Sequence, residues 1–214
     1  MRIDILCSDP AHPVVPSLRG WIAAHSETHA LRLVYDKSDL AEGDILYLVS
    51  CCQLITRADR ARYANVMVLH ASDLPKGRGW SPHVWDILAG KEELTVSLLT
   101  AEDSVDTGAI WAKQRFIVPR HALHDEINAL VFQAELELMD RGIEMVEAGE
   151  APVLQSTEGV SYHRRRTPAD SRLDPSRSLA ELFAQIRVAD PERFPAFFEL
   201  HGKTYELALK KRET

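Results

Sequence analysis

The sequence predicts an α/β fold, an open and mostly parallel sheet with flanking helices and a small C-terminal β-hairpin. Three observations carry this. Strand-like and helix-like runs alternate from Arg2 to Val118, the rhythm of an α/β sheet. The run Asp44–Ser50 (Asp-Ile-Leu-Tyr-Leu-Val-Ser) is apolar almost throughout, which suits a parallel strand covered on both faces. Between Ser81 and Gly90 the chain carries helix punctuation: Ser81 to cap, Pro82 in the first position and Gly90 as the stop.

In chain order, Arg2–Cys7 reads as a first strand. Val14–His25 reads as a helix with Val15, Leu18 and Ile22 at near-helical spacing. Leu31–Tyr35 and Asp44–Ser50 are the next strands. Thr56–Tyr63 is a short helix capped by Thr56. Val66–Leu69 is a fourth strand that delivers His70 at its C-terminal end. The helix opened by Ser81-Pro82 carries Val84, Trp85, Ile87 and Leu88. Leu94–Ala101 and Ile110–Val118 flank a turn at Asp106-Thr107-Gly108. Leu123–Glu147 is the longest helix, with an apolar stripe through Ile127, Leu130, Val131, Ala134 and Leu138. From Ala151 to Ser178 the chain is rich in Pro, Ser, Thr, Arg and Asp and is expected to run over the surface. Leu179–Val188 is a short helix. Phe197–Leu200 and Thr204–Leu209, joined by His201-Gly202-Lys203, read as the hairpin. The expected division is a main unit over residues 1–150 and an extension over residues 151–214.

The 214 residues, 45% hydrophobic and 27% charged, suit a globular protein with a substantial core. A net charge of -7 argues against general nucleic-acid binding, which needs basic patches. Cys7, Cys51 and Cys52 make no disulfide framework and are expected to be small buried hydrophobes in a reducing cytoplasm. Met1–Leu6 reads as a strand and not a signal peptide, and no apolar run is long enough to cross a bilayer, so no membrane partner is expected.

In open parallel sheets ligands bind beyond the carboxyl ends of the strands. His70, the segment Cys51-Cys52-Gln53 and the turn after Cys7 all fall there. A histidine at a strand end is often structural. His70, however, opens an irregular loop holding Gly77 and Gly79, where backbone can approach a ligand, and its imidazole suits proton transfer. Asp106 in its turn is locally a turn former; its chemical reading depends on the fold bringing it to His70. His121 and His124 have zinc-compatible spacing without a third ligand in sight, so no metal is expected. Arg164, Arg165 and Arg166 could recognise phosphate through forked donors or form a solvated basic face. Lys76-Gly77-Arg78-Gly79 lacks the ending of a phosphate loop, and no dinucleotide fingerprint occurs.

The passage from Val68 to Ile110 resembles the folate-dependent formyltransferases. Their pattern runs Asn-x-His-x-Ser-x-Leu-Pro-x-x-x-Gly, then Pro, then Leu-Ala-Gly, then Asp-Thr-Gly. Here it reads His70-Ala71-Ser72-Asp73-Leu74-Pro75-Lys76-Gly77-Arg78-Gly79, Pro82, Leu88-Ala89-Gly90 and Asp106-Thr107-Gly108. A weaker match continues through Tyr162–Asp170 and Ile186-Arg187. The resemblance implies a Rossmann-like catalytic domain, N10-formyltetrahydrofolate as donor and an amine as acceptor. It implies His70 as the proton-transfer and oxyanion-stabilising residue and Asp106 as its positioning partner, with no metal. It further implies folate contacts around Cys52, Gln53, Leu54 and Ile55 and around Leu99, Ala101 and Asp103, through backbone hydrogen bonds. One position departs: the family asparagine two residues before the histidine is Val68, which cannot donate a hydrogen bond. Asn65 is the nearest asparagine, but strand alternation points it to the opposite face.

Among acceptors, the acidic chain and the short segment after the long helix favour a nucleotide-linked amino sugar over methionyl-tRNA. The first choice is a UDP-linked 4-amino-4,6-dideoxy sugar. On that reading Ser72, Lys76, Gly77, Arg78, Trp80, Arg164, Arg165 and Arg166 are the acceptor-binding candidates. Alternatives are glycinamide ribonucleotide or methionyl-tRNA as acceptor, a formyltetrahydrofolate hydrolase, and a weakly active folate-binding relative. The C-terminal aromatic segment makes a homodimer an expectation.

Overall fold

The computed structural model describes residues 1–212. A six-stranded sheet forms the centre, in the order β2-β1-β3-β4-β6-β7. Its strands are β1 (Arg2–Leu6), β2 (Ala30–Val34), β3 (Gly43–Leu48), β4 (Tyr63–His70), β6 (Glu93–Thr100) and β7 (Ile110–Ile117). The first four are mutually parallel, and β6 alone runs against them, antiparallel to both β4 and β7. The expected strands are all present, with ends displaced by a few residues.

The sheet is covered on both faces, as the apolar run in β3 requires. Alternate residues Ile45 and Tyr47, with Ile3, Ile5, Met67, Leu69, Val96 and Leu98, face α1 (Val15–His25) and α4 (His124–Glu147). Leu46 and Leu48, with Leu6 and Val66, face Leu40 and Ile55 on the other side. On α1 the buried residues are Val15, Leu18 and Trp21, and Ile22 is half-buried. The expected stripe therefore sits one residue off, because the large Trp21 ring is turned inward onto Tyr47 and anchored by its indole N–H on Asp140. Helix α4 crosses the sheet closely at Gly142: a Cβ there would lie 2.6 Å from the Tyr47 hydroxyl oxygen. The Tyr47 hydroxyl donates to the Met139 carbonyl at 2.7 Å, which satisfies the one polar atom this contact buries.

Three local expectations change. Thr56 caps α2 (Arg57–Arg60) with a full capping box, but the helix is one turn and stops at Arg60 because β4 already begins at Tyr63. Ser81 precedes α3 (Pro82–Leu88) in a left-handed conformation (φ 47°), and its hydroxyl caps nothing; Pro82 opens the helix without it. Cys7 is buried and its thiol pushed up to about 11 by burial, whereas Cys51 is half-buried and Cys52 exposed at the strand-end turn.

The segment after α4 is less free than its composition suggests. Tyr162–His163 forms β8, parallel to β5 (Arg78–Gly79). Val153 bridges Ile110 on β7. Helix α5 (Leu179–Arg187) carries Leu182 and Ile186 into a small cluster with Leu173, Ala189 and Ala196. The hairpin is β9 (Ala196–Leu200) and β10 (Lys203–Leu207), turned at His201-Gly202, both with positive φ. No helix is long and apolar enough to cross a membrane among the described residues.

Candidate active site

Strand β4 ends at His70, on the strand face that also carries Val66 and Val68. The β6–β7 loop folds back over this edge and brings Asp106 to it. Asp106 Oδ1 lies 3.5 Å from His70 Nδ1, and the two side chains are only 9% and 6% exposed for His70 and Asp106. On the other side of the ring, Nε2 lies 2.9 Å from the Gly77 carbonyl oxygen. A carbonyl only accepts, so Nε2 carries a proton. Nδ1 faces the Asp106 carboxylate, which fixes the ring's orientation from its second nitrogen.

Asp106 is fixed in turn. Its Oδ2 accepts the Gly79 N–H at 2.8 Å. Its own backbone is left-handed (φ 58°), and its carbonyl accepts from the Gln155 amide at 2.9 Å. The same amide donates to the Gly108 carbonyl at 2.7 Å, and Gln155 Oε1 accepts from Arg78 at 2.8 Å. Gly79 must be glycine: at φ +97° a Cβ would lie 2.3 Å from the His163 carbonyl oxygen. That close approach is what lets β8 lie beside the loop and present the Gly79 N–H to Asp106.

The expected site residues fall into three groups. His70 and Asp106 meet. Of the folate candidates, Cys52 donates its N–H to Ser8 at 2.8 Å, and Gln53 accepts the Lys37 N–H at 2.8 Å. The Leu54 carbonyl accepts from Lys37, and the Ile55 carbonyl from Arg60. Arg60 also pairs with Asp103, tying this turn to the β6–β7 loop. Asp103 lines an open recess of about 490 Å³ together with Thr100, Glu102, Ser104, Thr107, Gly108, Ala109, Pro152 and Leu154. Ala101 is half-buried and donates its N–H to Val66. Leu99 departs from expectation: it is 1% exposed inside β6, paired to Val68 and Ile110, and does not line the recess. Its apolar strand position makes it core.

The third group is the acceptor set. Ser72 is buried and its hydroxyl has no partner, Lys76 is exposed, and Gly77 holds the His70 ring. Arg78 reaches Gln155 and Tyr162. Arg165 lies over the Trp80 ring at 4.8 Å and Arg164 over Trp85 at 4.9 Å. Asp170 pairs with Arg164, and this holds the Asp170 carboxyl well below its ordinary range. Arg166 is half-buried, its Nε has no partner and burial lowers its pKa. Asn65 donates to the Asp44 carbonyl near the start of β4, away from His70, so Val68 has no asparagine substitute there.

The sequence reading missed Gln155 and Ser161, whose hydroxyl accepts the Gly77 N–H at 2.9 Å. It also missed two titratable groups, one half-buried and one buried. His83, on α3, has Nδ1 without a partner and is pushed down to about 4, by burial first and by the nearby histidines and Arg166. Glu135, on α4, is pushed up to about 8 by burial, with Oε2 unpartnered. Nothing local marks any of the four; their meaning comes from what packs against them. Among the described residues no three His, Cys, Asp or Glu side chains converge on a metal-sized site. His124 instead contacts Asn128 at 3.0 Å, and Asp190 at 3.8 Å.

Residues 10–143, which include His70, Gly77, Gly79 and Asp106, match the formyl transferase family. The chain belongs to that family. Methionyl-tRNA formyltransferase of Symbiobacterium thermophilum is 34% identical over 150 residues, covering 69% of this chain and 46% of that protein. The chain thus spans under half the length of the curated relatives it matches. In fold it is similar to HypX from Aquifex aeolicus in complex with tetrahydrofolic acid (TM-score 0.82, 19% identity, 98% of this chain and 37% of that one). It is also similar to a sugar N-formyltransferase from Shewanella (TM-score 0.72, 16% identity, 100% of this chain and 99% of that one).

Proposed function

We propose that this formyl transferase family member moves a formyl group from N10-formyltetrahydrofolate to the amine of a nucleotide-linked amino sugar, with a UDP-linked 4-amino-4,6-dideoxy sugar as the first acceptor to assay. The observation that carries the reading is the convergence of His70 and Asp106, 3.5 Å apart and nearly buried, from two separate segments. The folate fits the residues present. The recess walled by Ser104, Thr107 and Gly108, on either side of Asp106 in the chain, has a volume typical of ligand sites. Leu154, 85% exposed, lines it, and Leu54, 73% exposed, stands on the turn tied to Asp103. Such side chains suit flat rings, and Glu102 and Asp103 offer acceptors for a pterin's amino group.

Bound there, N10-formyltetrahydrofolate supplies an activated formyl carbon. As the amine attacks that carbon, negative charge grows on the formyl oxygen. His70 turns its Nε2–H from the Gly77 carbonyl to this oxygen and stabilises it. Asp106 keeps the imidazole oriented, and it receives the proton the amine loses, directly or through one water. Asp106 then returns that proton to the departing folate nitrogen as the old C–N bond breaks. Val68 supplies no second donor, so more of the stabilisation rests on His70 than where an asparagine stands. The arginines around Trp80 and Trp85 fit the phosphates of a nucleotide handle, and the acidic surface elsewhere disfavours a long polyanion. The free thiols are in keeping with a cytoplasmic setting.

The test is incubation with formyl-folate and a panel of nucleotide-linked amino sugars, read by mass spectrometry for the gain of one formyl group. Formylation of at least one sugar that is lost in His70→Asn is the expected result. The names of the curated relatives make methionyl-tRNA the second acceptor to include. Formylation of that tRNA alone, or formate release without an amine, replaces the sugar reading with transfer to tRNA or with hydrolysis.

A further inference from the structure

We infer that Trp80 and Arg165 form a nucleoside-diphosphate subsite, in which the indole face takes the base and the guanidinium takes the phosphates. The inference rests on the sugar-nucleotide reading above and adds where the handle docks. Strands β5 and β8 lie side by side, and the Trp80 N–H donates to the His163 carbonyl at 3.1 Å. This register sets the exposed Trp80 ring, 44% accessible, beneath the Arg165 side chain. The two arginines flanking Arg165 are committed elsewhere. Arg164 is held by Asp170 and lies over Trp85, which itself stacks on His163 at 6.0 Å; Arg166 is half-buried beside Ser171. No carboxylate among the described residues pairs with Arg165, although the chain carries more acidic than basic side chains.

A free guanidinium resting over an open, solvated indole is a weakly held arrangement. A base stacked on the same face covers the ring more completely and is held more firmly. A base therefore outcompetes Arg165 for the ring, and the released guanidinium is left beside the phosphates it can grip through two parallel N–H donors. The location serves the chemistry: Trp80 follows Gly79, whose N–H holds the Asp106 carboxylate at 2.8 Å. A handle bound here sits one residue from the glycine that holds Asp106.

The experiment is equilibrium binding of UDP, dTDP, GDP and uridine to the full chain, by calorimetry and by tryptophan fluorescence, without folate or amine. At least one diphosphate should bind. Trp80→Ala and Arg165→Ala should each weaken it tenfold or more, and Trp80→Phe should restore most of the loss. Uridine binding should be weakened by Trp80→Ala and not weakened by Arg165→Ala. Circular dichroism and Tm within about 2 °C of the parent exclude misfolding as the cause. His70→Asn should bind the diphosphate normally, which separates this site from the transfer reading: diphosphate binding without formyl transfer sinks that reading alone. Binding unchanged in both alanine variants, or no diphosphate bound by the parent, overturns the subsite. So does Trp80-dependent capture of transfer RNA without binding of any free nucleotide.

Discussion

Two buried polar centres on this sheet are built on opposite terms. Asp4, in the middle of β1, has every oxygen in use: Arg32 donates twice, at 2.8 and 2.6 Å, Tyr63 donates its hydroxyl and Ala41 its N–H. Burial raises the Asp4 carboxyl, but these donors outweigh it and the net shift is downward. Around the carboxyl end of β4 the accounts are open. Ser72 Oγ, Arg78 Nε, His83 Nδ1 and Arg166 Nε are buried without partners. A satisfied network holds a fold together; a group of unsatisfied donors and acceptors is kept for something that arrives later. The open cluster lies beside His70 and Asp106, whose own polar atoms are partnered, and it marks where an arriving ligand can add bonds.

Breaking the open side should cost rate and not stability. His70→Asn is expected to lower kcat by at least about 10³, roughly 4 kcal/mol of transition-state stabilisation, with Tm within a few degrees of the parent. Steady-state formylation beside a thermal melt checks it; near-normal turnover would falsify the role of His70. The satisfied side should show the reverse. Asp4→Ala removes the acceptor from Arg32, Tyr63 and Ala41 and should cost about 3 kcal/mol in urea unfolding. The low end of the range applies because Arg32 is half-exposed and can regain water. Its kcat at a temperature well below Tm should stay within twofold of the parent. A variant slow but fully stable would put Asp4 on the wrong side of the comparison.

Asp106→Asn is a subtler cut. Asparagine can still accept the Gly79 N–H, but it no longer offers His70 a carboxylate or takes a proton. A loss of about 10² in kcat is expected, with acceptor KM little changed. A KM effect without a kcat effect would make Asp106 a binding residue.

The last prediction concerns Glu135, a buried acid with an open oxygen midway along α4. Its carboxyl is held up at about 8 against an ordinary 4.5, with burial as the cause. Below 4.5 both folded and unfolded chains carry the proton. As pH rises above that value the unfolded chain releases it while the folded chain keeps it, so stability falls across the window up to about 8. Glu135→Gln should flatten this slope and raise Tm near pH 8 by roughly 2–4 °C per kcal/mol recovered, with little change near pH 5. Calorimetry at the two pH values decides it, and parallel slopes in parent and variant would remove the assignment.

Much of the fold was legible because burial writes itself into alternation. The run in β3 alternates between two covered faces, and the α4 stripe returns every three or four residues. Ser81 misled because capping depends on a backbone conformation that its identity does not dictate. At the site, His70 and Asp106 were visible as residue types at a strand end and in a turn, and their meeting was not. Gln155 and Ser161 were invisible because they sit in a polar run that reads as surface. The single Val153–Ile110 bridge and the two-residue pairing of β8 with β5 give them partners.

Gln155 has a consequence beyond its bonds. One carboxamide grips both the turn that carries Asp106 and the arginine beside Gly79, so it works as a clasp between three stretches of chain. Lifting the arm after α4 cannot leave the carboxylate behind in its working position. Whatever loosens that arm unseats the chemistry in the same motion, and whatever seats the arm readies it.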